Sequence, residues 1–378
     1  MENPFDRPLT GKPIHEIKSE LTSKPDLLAA VSDQIKQVTA AGAMLHREFP
    51  FYGSVLPAEI VPYRAESHAA ETQLIDGYAR LIGMTDLARQ RGLLEDLNSE
   101  LNTASDGTKV ESILQRTLEA LAQNKKVILF GDDIPVASRI LKDADGLPKE
   151  TPGFLSAMRA AMAAHGIECS FLRAFPEGSE SVPALASERA GIGEKNSEQM
   201  ARFVDGAYKT NETGQRIELR GPDNRPVYAP GLTKVILIPY SQAAGWPELN
   251  QRFSTAPELS IILTPTVSAD RFMQAVGRGS RRNSQGPTDV QLVANDSRAD
   301  CRRLSQLLRG LQFIGATGSP AVAPFVKLTA DLLENASTQR ALRDQRLIQL
   351  QKGQRARSAR IVDPNFIRSA SRAPGVRQ

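Results

Sequence analysis

The sequence predicts an α/β protein built on a parallel sheet with helices on both faces, and three observations lead to this prediction. From residue 125 onwards, short apolar runs of strand length alternate with longer segments of helical periodicity. The runs are apolar at nearly every position, as in strands that are buried on both faces of a sheet. The 378 residues are 40% hydrophobic, which is enough to bury a core.

The alternating region is flanked by segments of different composition. Residues 1–25 are polar, punctuated by Pro and Lys, and are interpreted as a flexible arm. Residues 26–124 have mainly helical periodicity and are predicted to be a helical extension. The α/β domain is assigned to residues 125–320, and residues 321–378 are predicted to be a helix followed by a basic tail.

Within the α/β domain, each strand is predicted from an apolar run and each helix from the segment that follows it. The strands are expected in "KKVILFGDD", "IECSFL", "KVILIPY", "LSIILTP" and "TDVQLVAN". The helices are expected at 153–165, in "SEQMARFVDGAY", after Ser268, and in "SRADCRRLSQLLRGLQFIG". Residues 209–230 carry two turn signals and are predicted to form an inserted hairpin.

The charge of the chain is distributed unevenly. The net charge is +4, but residues 339–378 hold ten Lys or Arg against Asp344 and Asp363, so that this segment carries +8 and the remainder −4. A basic tail of this kind fits an anionic partner, nucleic acid first, through neutralisation of phosphates. A solvated, disordered end would have the same composition, and the composition alone does not separate the two interpretations.

Cysteine usage and the N-terminus point to the cytoplasm. Cys169 and Cys301 are too few for a disulfide framework or a zinc site, and the four histidines lack metal-ligand spacing. No basic segment followed by an apolar core begins the chain, and no apolar run is long enough to span a bilayer. We therefore expect a cytoplasmic protein with no metal site of its own and no membrane partner.

The stretch "SADRFMQAVGRGSRRNSQG" at 268–286 is the strongest candidate for chemistry. Ser268 can cap a helix that runs to Val276, and Gln274, Arg278 and Arg281 then share one face at helical spacing. Guanidinium groups that follow a strand of an α/β sheet lie where such folds bind ligands, and their planar, permanently charged form suits a polyphosphate. An arginine cluster that stabilises the dipole of a helix end is the alternative.

The order of several segments resembles the second RecA-like domain of a superfamily 2 helicase. "QAVGRGSRRN" fits Q-x-x-G-R-x-x-R, the sixth motif of that superfamily, and the added Asn is similar to the strawberry-notch type. "VILIPYSQAAGWPELNQ" resembles the motif V strand and loop, and "KKVILFGDD" resembles the first strand of the domain. "GAMLHREFPFYGSVLPAEIVPY" resembles the linker between the two RecA domains, and the similarity covers roughly residues 40–320.

The resemblance implies roles for particular residues. A nucleotide would be bound by Gln274, Gly277, Arg278 and Arg281, and the two arginines would be catalytic, with Arg281 at the γ-phosphate and Arg278 alongside. Nucleic acid, with DNA favoured, would be contacted by the motif V loop and the tail, through Ser241, Gln242, Arg355, Arg357 and Arg360.

The phosphate-binding loop of such a motor is missing from the sequence. Gly11-Lys12 is followed by Pro13, and no G-x-x-x-x-G-K-[ST] precedes the first strand. Asp132 and Asp133 resemble a metal-binding pair only superficially, and a turn that opens the next helix is the better interpretation.

We therefore expect half a motor, whose ATP and Mg²⁺ would be held in a composite site with a separate chain that carries Walker A and Walker B. The alternative is a non-enzymatic nucleic-acid-binding or assembly protein derived from a helicase domain, for example in a phage particle or a defence complex.

Overall fold

A computed structural model describes residues 53–57, 59–175, 186–204, 208–210, 216–218, 222, 231–243, 258–278, 288–316 and 322–361, the last of these without side chains beyond 346. Eight helices and eleven strands fall within these residues. The helices are α1 (Ala65–Gly83), α2 (Leu87–Gly107), α3 (Val110–Ala122), α4 (Phe154–Ala164), α5 (Ala186–Phe203), α6 (Ala269–Val276), α7 (Arg298–Ala316) and α8 (Ala323–Ile361).

Seven of the strands form one sheet in which every pairing is parallel. Its order is β1–β11–β10–β3–β9–β6, and β2 also pairs with β11. The strands are β1 (Ser54–Val55), β2 (Glu59–Val61), β3 (Lys126–Gly131), β6 (Cys169–Phe171), β9 (Val235–Pro239), β10 (Leu259–Leu263) and β11 (Thr288–Asn295). The predicted α/β class with a parallel sheet is confirmed.

The sheet is buried on both faces, which explains the apolar runs. The five residues of β9 and the five of β10 are all buried, as are the last five of β3. One face packs against α5, α6, α7 and α8, and the other packs against α3 and α4. Because both faces are covered, nearly every strand position must be apolar, and the alternation typical of half-exposed strands is absent from these three strands.

Helices α1 and α2 pack against each other at one end of the domain, around the buried side chains of Leu74 and Tyr78. They also hold an antiparallel hairpin of β4 (Val136–Lys142) and β5 (Pro148–Thr151) that the sequence analysis did not predict. The buried carboxylate of Glu100 on α2 accepts a hydrogen bond from the Tyr78 hydroxyl at 2.6 Å and one from the Ser138 hydroxyl of the hairpin. The hairpin turn ends at Gly146, whose φ of +77° requires glycine.

The region where an inserted hairpin was predicted contains a second short antiparallel pair, of β7 (Tyr208–Thr210) and β8 (Arg216–Glu218). The predicted arm at 1–25 and residues 26–52 of the predicted helical extension lie outside the described residues. In the described part of the chain, no helix combines the length and the apolar character needed to cross a membrane.

The free edge of β6 is covered by two amide side chains of α5. Gln199 accepts a hydrogen bond from the Phe171 backbone N–H at 3.2 Å. The fully buried Asn196 accepts from the Arg173 N–H at 2.8 Å and donates to the Arg173 carbonyl at 2.9 Å. Backbone groups that a sheet edge would otherwise leave open therefore have partners within the domain.

Candidate functional site at the carboxyl edge of the sheet

The carboxyl ends of β3, β9, β10 and β11 meet at one edge of the sheet because the four strands are parallel neighbours. Asp132 follows β3, Ser241 and Gln242 follow β9, Thr264 follows β10, and Asn295 ends β11. Open α/β sheets bind ligands in the crevice outside this edge. The segment with the candidate arginines begins here, five residues after the end of β10.

Helix α6 begins and ends where the sequence predicts. The Ser268 hydroxyl accepts a hydrogen bond from the Arg271 N–H at 3.3 Å, as an N-cap does, and Gly277 follows the last helical residue. Phe272 and Val276 are buried in the core, and the opposite face exposes Arg271 and Gln274. The one polar, exposed face of α6 is therefore directed away from the sheet.

Arg278 does not share the exposed face with Gln274. The helix has ended by residue 277, so the chain turns, and Arg278 is only 3% exposed. Its guanidinium Nε donates a hydrogen bond to the backbone carbonyl of Ala243. The buried cation thereby ties the segment after α6 to the loop after β9, which are the two segments that resemble motifs VI and V.

The loop after β9 begins as a short 3₁₀ turn, Tyr240–Gln242. The Tyr240 hydroxyl donates to the Thr264 carbonyl at 2.5 Å, and this bond fixes the turn against the end of β10. Gln242 is buried, with 4% of its surface exposed, whereas Ser241 is exposed. Of the two residues predicted to contact nucleic acid in this loop, Ser241 has its side chain open to a ligand.

Of the remaining predicted site residues, only Gly277 has its full surroundings described. Gly277 is half-buried, and a Cβ there would come within 3.1 Å of the Met273 carbonyl, so glycine suits the close end of the helix. Arg281 lies outside the described residues. Arg355, Arg357 and Arg360 lie within the bounds of α8, where side chains are not described.

Four buried charges at this edge were missed by the sequence analysis. The Lys109 ammonium lies 2.6 Å from an Asp106 carboxylate oxygen and 2.8 Å from one of Asp300. The Arg303 guanidinium lies 2.7 Å from Asp106 and 2.5 Å from Asp300. All four side chains are at most 3% exposed. These residues, the four-charge cluster, join the end of α2 and the start of α3 to the first turns of α7.

Opposite charges favour the charged forms of Asp106 and Arg303 in this cluster. Burial by itself would raise the pKa of the Asp106 carboxyl, but Arg303 and then Lys109 outweigh burial and the pKa is lowered. Burial would likewise lower the pKa of Arg303, and the charges of Asp106 and Asp300 outweigh it. The sequence signal was a Lys or Arg three residues after an Asp, in Asp106 with Lys109 and in Asp300 with Arg303.

The two aspartates after β3 have separate surroundings. Asp133 accepts hydrogen bonds from the Ser156 N–H at 2.8 Å and the Ser156 hydroxyl at 2.9 Å, so it caps α4. Asp132 is half-buried beside a cavity of about 30 Å³ that it shares with Asp106. No hydrogen bond or ion pair reaches Asp132 from the residues that the structure describes. Burial, followed by the Asp106 charge, raises the pKa of Asp132.

The geometry therefore separates two sets of groups at the edge. Exposed Gln274, Arg271 and Ser241 can donate hydrogen bonds to a ligand, while Arg278 and the four-charge cluster hold the surrounding segments in place. The described residues contain no group of three or more His, Cys, Asp or Glu side chains that could hold a metal ion.

No protein-family model matches the chain, and a search of the curated proteins finds no match either.

Proposed function

We propose that this chain is the C-terminal, second RecA-like half of a superfamily 2, strawberry-notch-like nucleic-acid-dependent ATPase. The observation that carries the proposal is the Q-x-x-G-R-x-x-R sequence, whose first residues lie at the end of α6, at the edge of a parallel sheet where α/β folds bind ligands. Gln274 is exposed on that helix, as a residue that faces a nucleotide must be.

The burial of Arg278 supports different roles for the two motif arginines, Arg278 and Arg281. Arg278 donates to the Ala243 carbonyl and is a positioning residue, because its guanidinium holds the loop after β9 against the segment after α6. Arg281, three residues further on, is then the arginine that would stabilise charge on the γ-phosphate.

ATP and Mg²⁺ would be bound in a composite site. A separate chain with Walker A and Walker B would hold the phosphates and the metal, and this chain would supply the arginines. Nucleic acid, DNA in the first instance, would cross Ser241 and the basic segment that contains Arg355, Arg357 and Arg360. The cytoplasm, where such motors meet ATP, is the proposed compartment.

The first experiment is affinity capture of the full-length chain from its native host, followed by an ATPase assay of any reconstituted pair. We expect a stoichiometric partner with Walker A and Walker B sequences, and nucleic-acid-stimulated turnover that Arg281→Ala reduces by about 10³-fold or more. Arg309→Ala is the matched control, since Arg309 is an exposed arginine of α7. Unchanged turnover in the Arg281→Ala pair would reject the catalytic assignment.

The burial of Arg278 also favours a second candidate function. An arginine bonded to a backbone carbonyl has a structural role that requires no nucleotide, so the segment can persist in a non-enzymatic nucleic-acid-binding or assembly protein. This candidate predicts that the chain alone binds nucleic acid with a steep salt dependence, and that capture recovers only structural or nucleic-acid-associated proteins.

A further inference from the structure

Helix α8 packs on the core through buried apolar residues such as Phe325 and Leu332, and further along the helix Arg343 adds a polar attachment. The Arg343 guanidinium forms an ion pair with the carboxylate of Asp296, which is fully buried after β11. The same guanidinium contacts Nε2 of His68 on α1. Asp296 is itself held in place, since its other oxygen accepts a hydrogen bond from the Tyr63 N–H at 3.0 Å. Arg343 therefore joins three segments that are distant in sequence.

His68 is enclosed at this junction, with a side chain that is only 12% exposed. Its ring packs edge-on against Tyr63 with the ring centroids 4.7 Å apart. Its Nδ1 lies 3.6 Å from a carboxylate oxygen of Glu71, one turn further along α1. Both ring nitrogens thus face charged groups of opposite sign, Glu71 on one side and Arg343 on the other.

The contact with Arg343 requires neutral histidine. A guanidinium is always protonated and only donates, so Nε2 must present its lone pair, and the ring proton then lies on Nδ1 towards Glu71. A second proton would set an N–H donor and a positive charge directly against the Arg343 guanidinium. The charged groups around the ring are Glu71 from α1, Asp296 from the connection after β11, and Arg340, Arg343 and Asp344 from α8.

We propose that His68 is a pH-sensitive latch, which holds the part of α8 around Arg343 on α1 while the imidazole is neutral and releases that part when the imidazole is protonated. The inference does not depend on the proposed ATPase activity. It rests on the contact between the Arg343 guanidinium, which can only donate hydrogen bonds, and the Nε2 atom of His68. This nitrogen stops being an acceptor when the imidazole is protonated, which happens within the ordinary range of cellular pH.

The direction of the pH effect follows from the surroundings of the ring. Burial, followed by the Arg343 charge, lowers the pKa of His68 below its ordinary value of 6.5, while Asp296 and Asp344 oppose the change. A lowered pKa in the docked state means that docking is fully stabilised above pH 6.5 and weakens as the pH falls through the lowered value. The pKa of Glu71 is raised, mainly by burial, so its protonation at still lower pH favours the docked state.

Hydrogen exchange of the full-length chain tests the latch, between about pH 8 and about pH 5.5, where histidine changes charge and carboxylates largely do not. With rates corrected for intrinsic exchange, we expect the amides of residues 336–346 to lose protection at the lower pH. The amides of β3 and β10 should stay protected at both values, because they lie in the centre of the sheet.

Two variants separate the latch from general acid sensitivity. His68→Gln keeps a neutral acceptor at every pH, so α8 should stay equally protected across the range. His165→Gln is the matched control, since His165 is an exposed histidine at the end of α4, and it should behave as the wild type. Wild-type protection that is the same at both pH values, or a His68→Gln chain that still loses protection, would overturn the proposal.

Arg343→Met keeps the test decisive if His68→Gln does not fold. Without the Arg343 cation, protonation of His68 meets less repulsion, so residues 336–346 should be less protected at both pH values, with a smaller further loss on acidification than in the wild type. A pH-dependent loss of the wild-type size in Arg343→Met would also overturn the latch.

Discussion

At the scale of single residues, the carboxyl edge is governed by charges that have no contact with water. Lys109 and Arg303 each bridge Asp106 and Asp300, so two cations and two anions are balanced in the interior. A buried ion pair adds little net stability over apolar packing, but removal of one partner leaves an unpaired charge in the interior. The cluster therefore makes the junction of α2, α3 and α7 intolerant of substitution.

Lys109→Met is expected to lower the free energy of unfolding by about 3–5 kcal/mol at neutral pH, because the two aspartates would share one cation. Urea unfolding measures this loss. Lys149→Met is the control, since Lys149 is an exposed lysine on β5, and it should change stability by no more than about 0.5 kcal/mol. Equal stability of the two variants would show that the cluster can lose a cation without cost.

Arg278 and Asp132 illustrate why the site was only partly predictable. Ser268, the length of α6 and its end at Gly277 follow from local signals, and the structure has each of them. The inward direction of the Arg278 side chain depends on its bond to the Ala243 carbonyl, 35 residues away in sequence. The pKa of Asp132, which follows β3, is affected by the charge of Asp106 on α2. The periodicity of a local segment does not predict contacts between residues that are distant in sequence.

At the scale of elements, the position of α6 is set by a close approach to α7. A Cβ at Gly310 would lie 2.6 Å from the Cβ of Ala269, so only glycine lets α7 pass the first turn of α6 at this distance. The strands β3, β9 and β10 were predicted because buried strands are apolar at nearly every position. The β4–β5 hairpin was missed although Asp145-Gly146 is a hairpin signal, since one of its two runs is short and polar.

Gly310→Ala is expected to destabilise the fold by about 1–3 kcal/mol, because the new methyl group must displace α6 or α7. Gly315→Ala lies in the same helix with open space around the new Cβ, and should stabilise the fold by about 0.5–1 kcal/mol through the higher helix propensity of alanine. Chemical unfolding of the two variants in parallel measures the difference. Two changes of the same sign and size would contradict the packing argument.

At the scale of the whole molecule, tyrosines link the layers of the fold. Tyr63 lies between the sheet edge and α1, Tyr78 links α1 to α2, and Tyr240 lies between the ends of β9 and β10. Burial is the main cause that raises the pKa of each phenol. In Tyr78 the hydrogen bond to Glu100 adds to the effect, and in Tyr240 the charge of Asp132 does so.

These raised pKa values predict alkaline unfolding. The folded state keeps the phenols neutral, whereas the unfolded chain loses their protons near pH 10.0. Stability is therefore fully present below that pH and falls above it, by about 1.4 kcal/mol per pH unit for each tyrosine that stays protonated in the fold. Tyrosinate absorbance should rise together with the loss of circular dichroism, and Tyr240→Phe should make the decline shallower. Ionisation well before unfolding would contradict the prediction.

The side-chain amides of Asn196 and Gln199, which cover the edge of β6, affect how readily copies of the protein associate at high concentration. The Phe171 N–H of β6 is already bonded to Gln199, and the N–H and C=O of Arg173, just after the strand, are bonded to Asn196, so these groups offer no template to an unfolded neighbour. These bonds hinder a second copy of the chain from extending the sheet along that side. Asn196→Leu, which removes both bonds to Arg173, is expected to make fibrous self-association easier at high protein concentration.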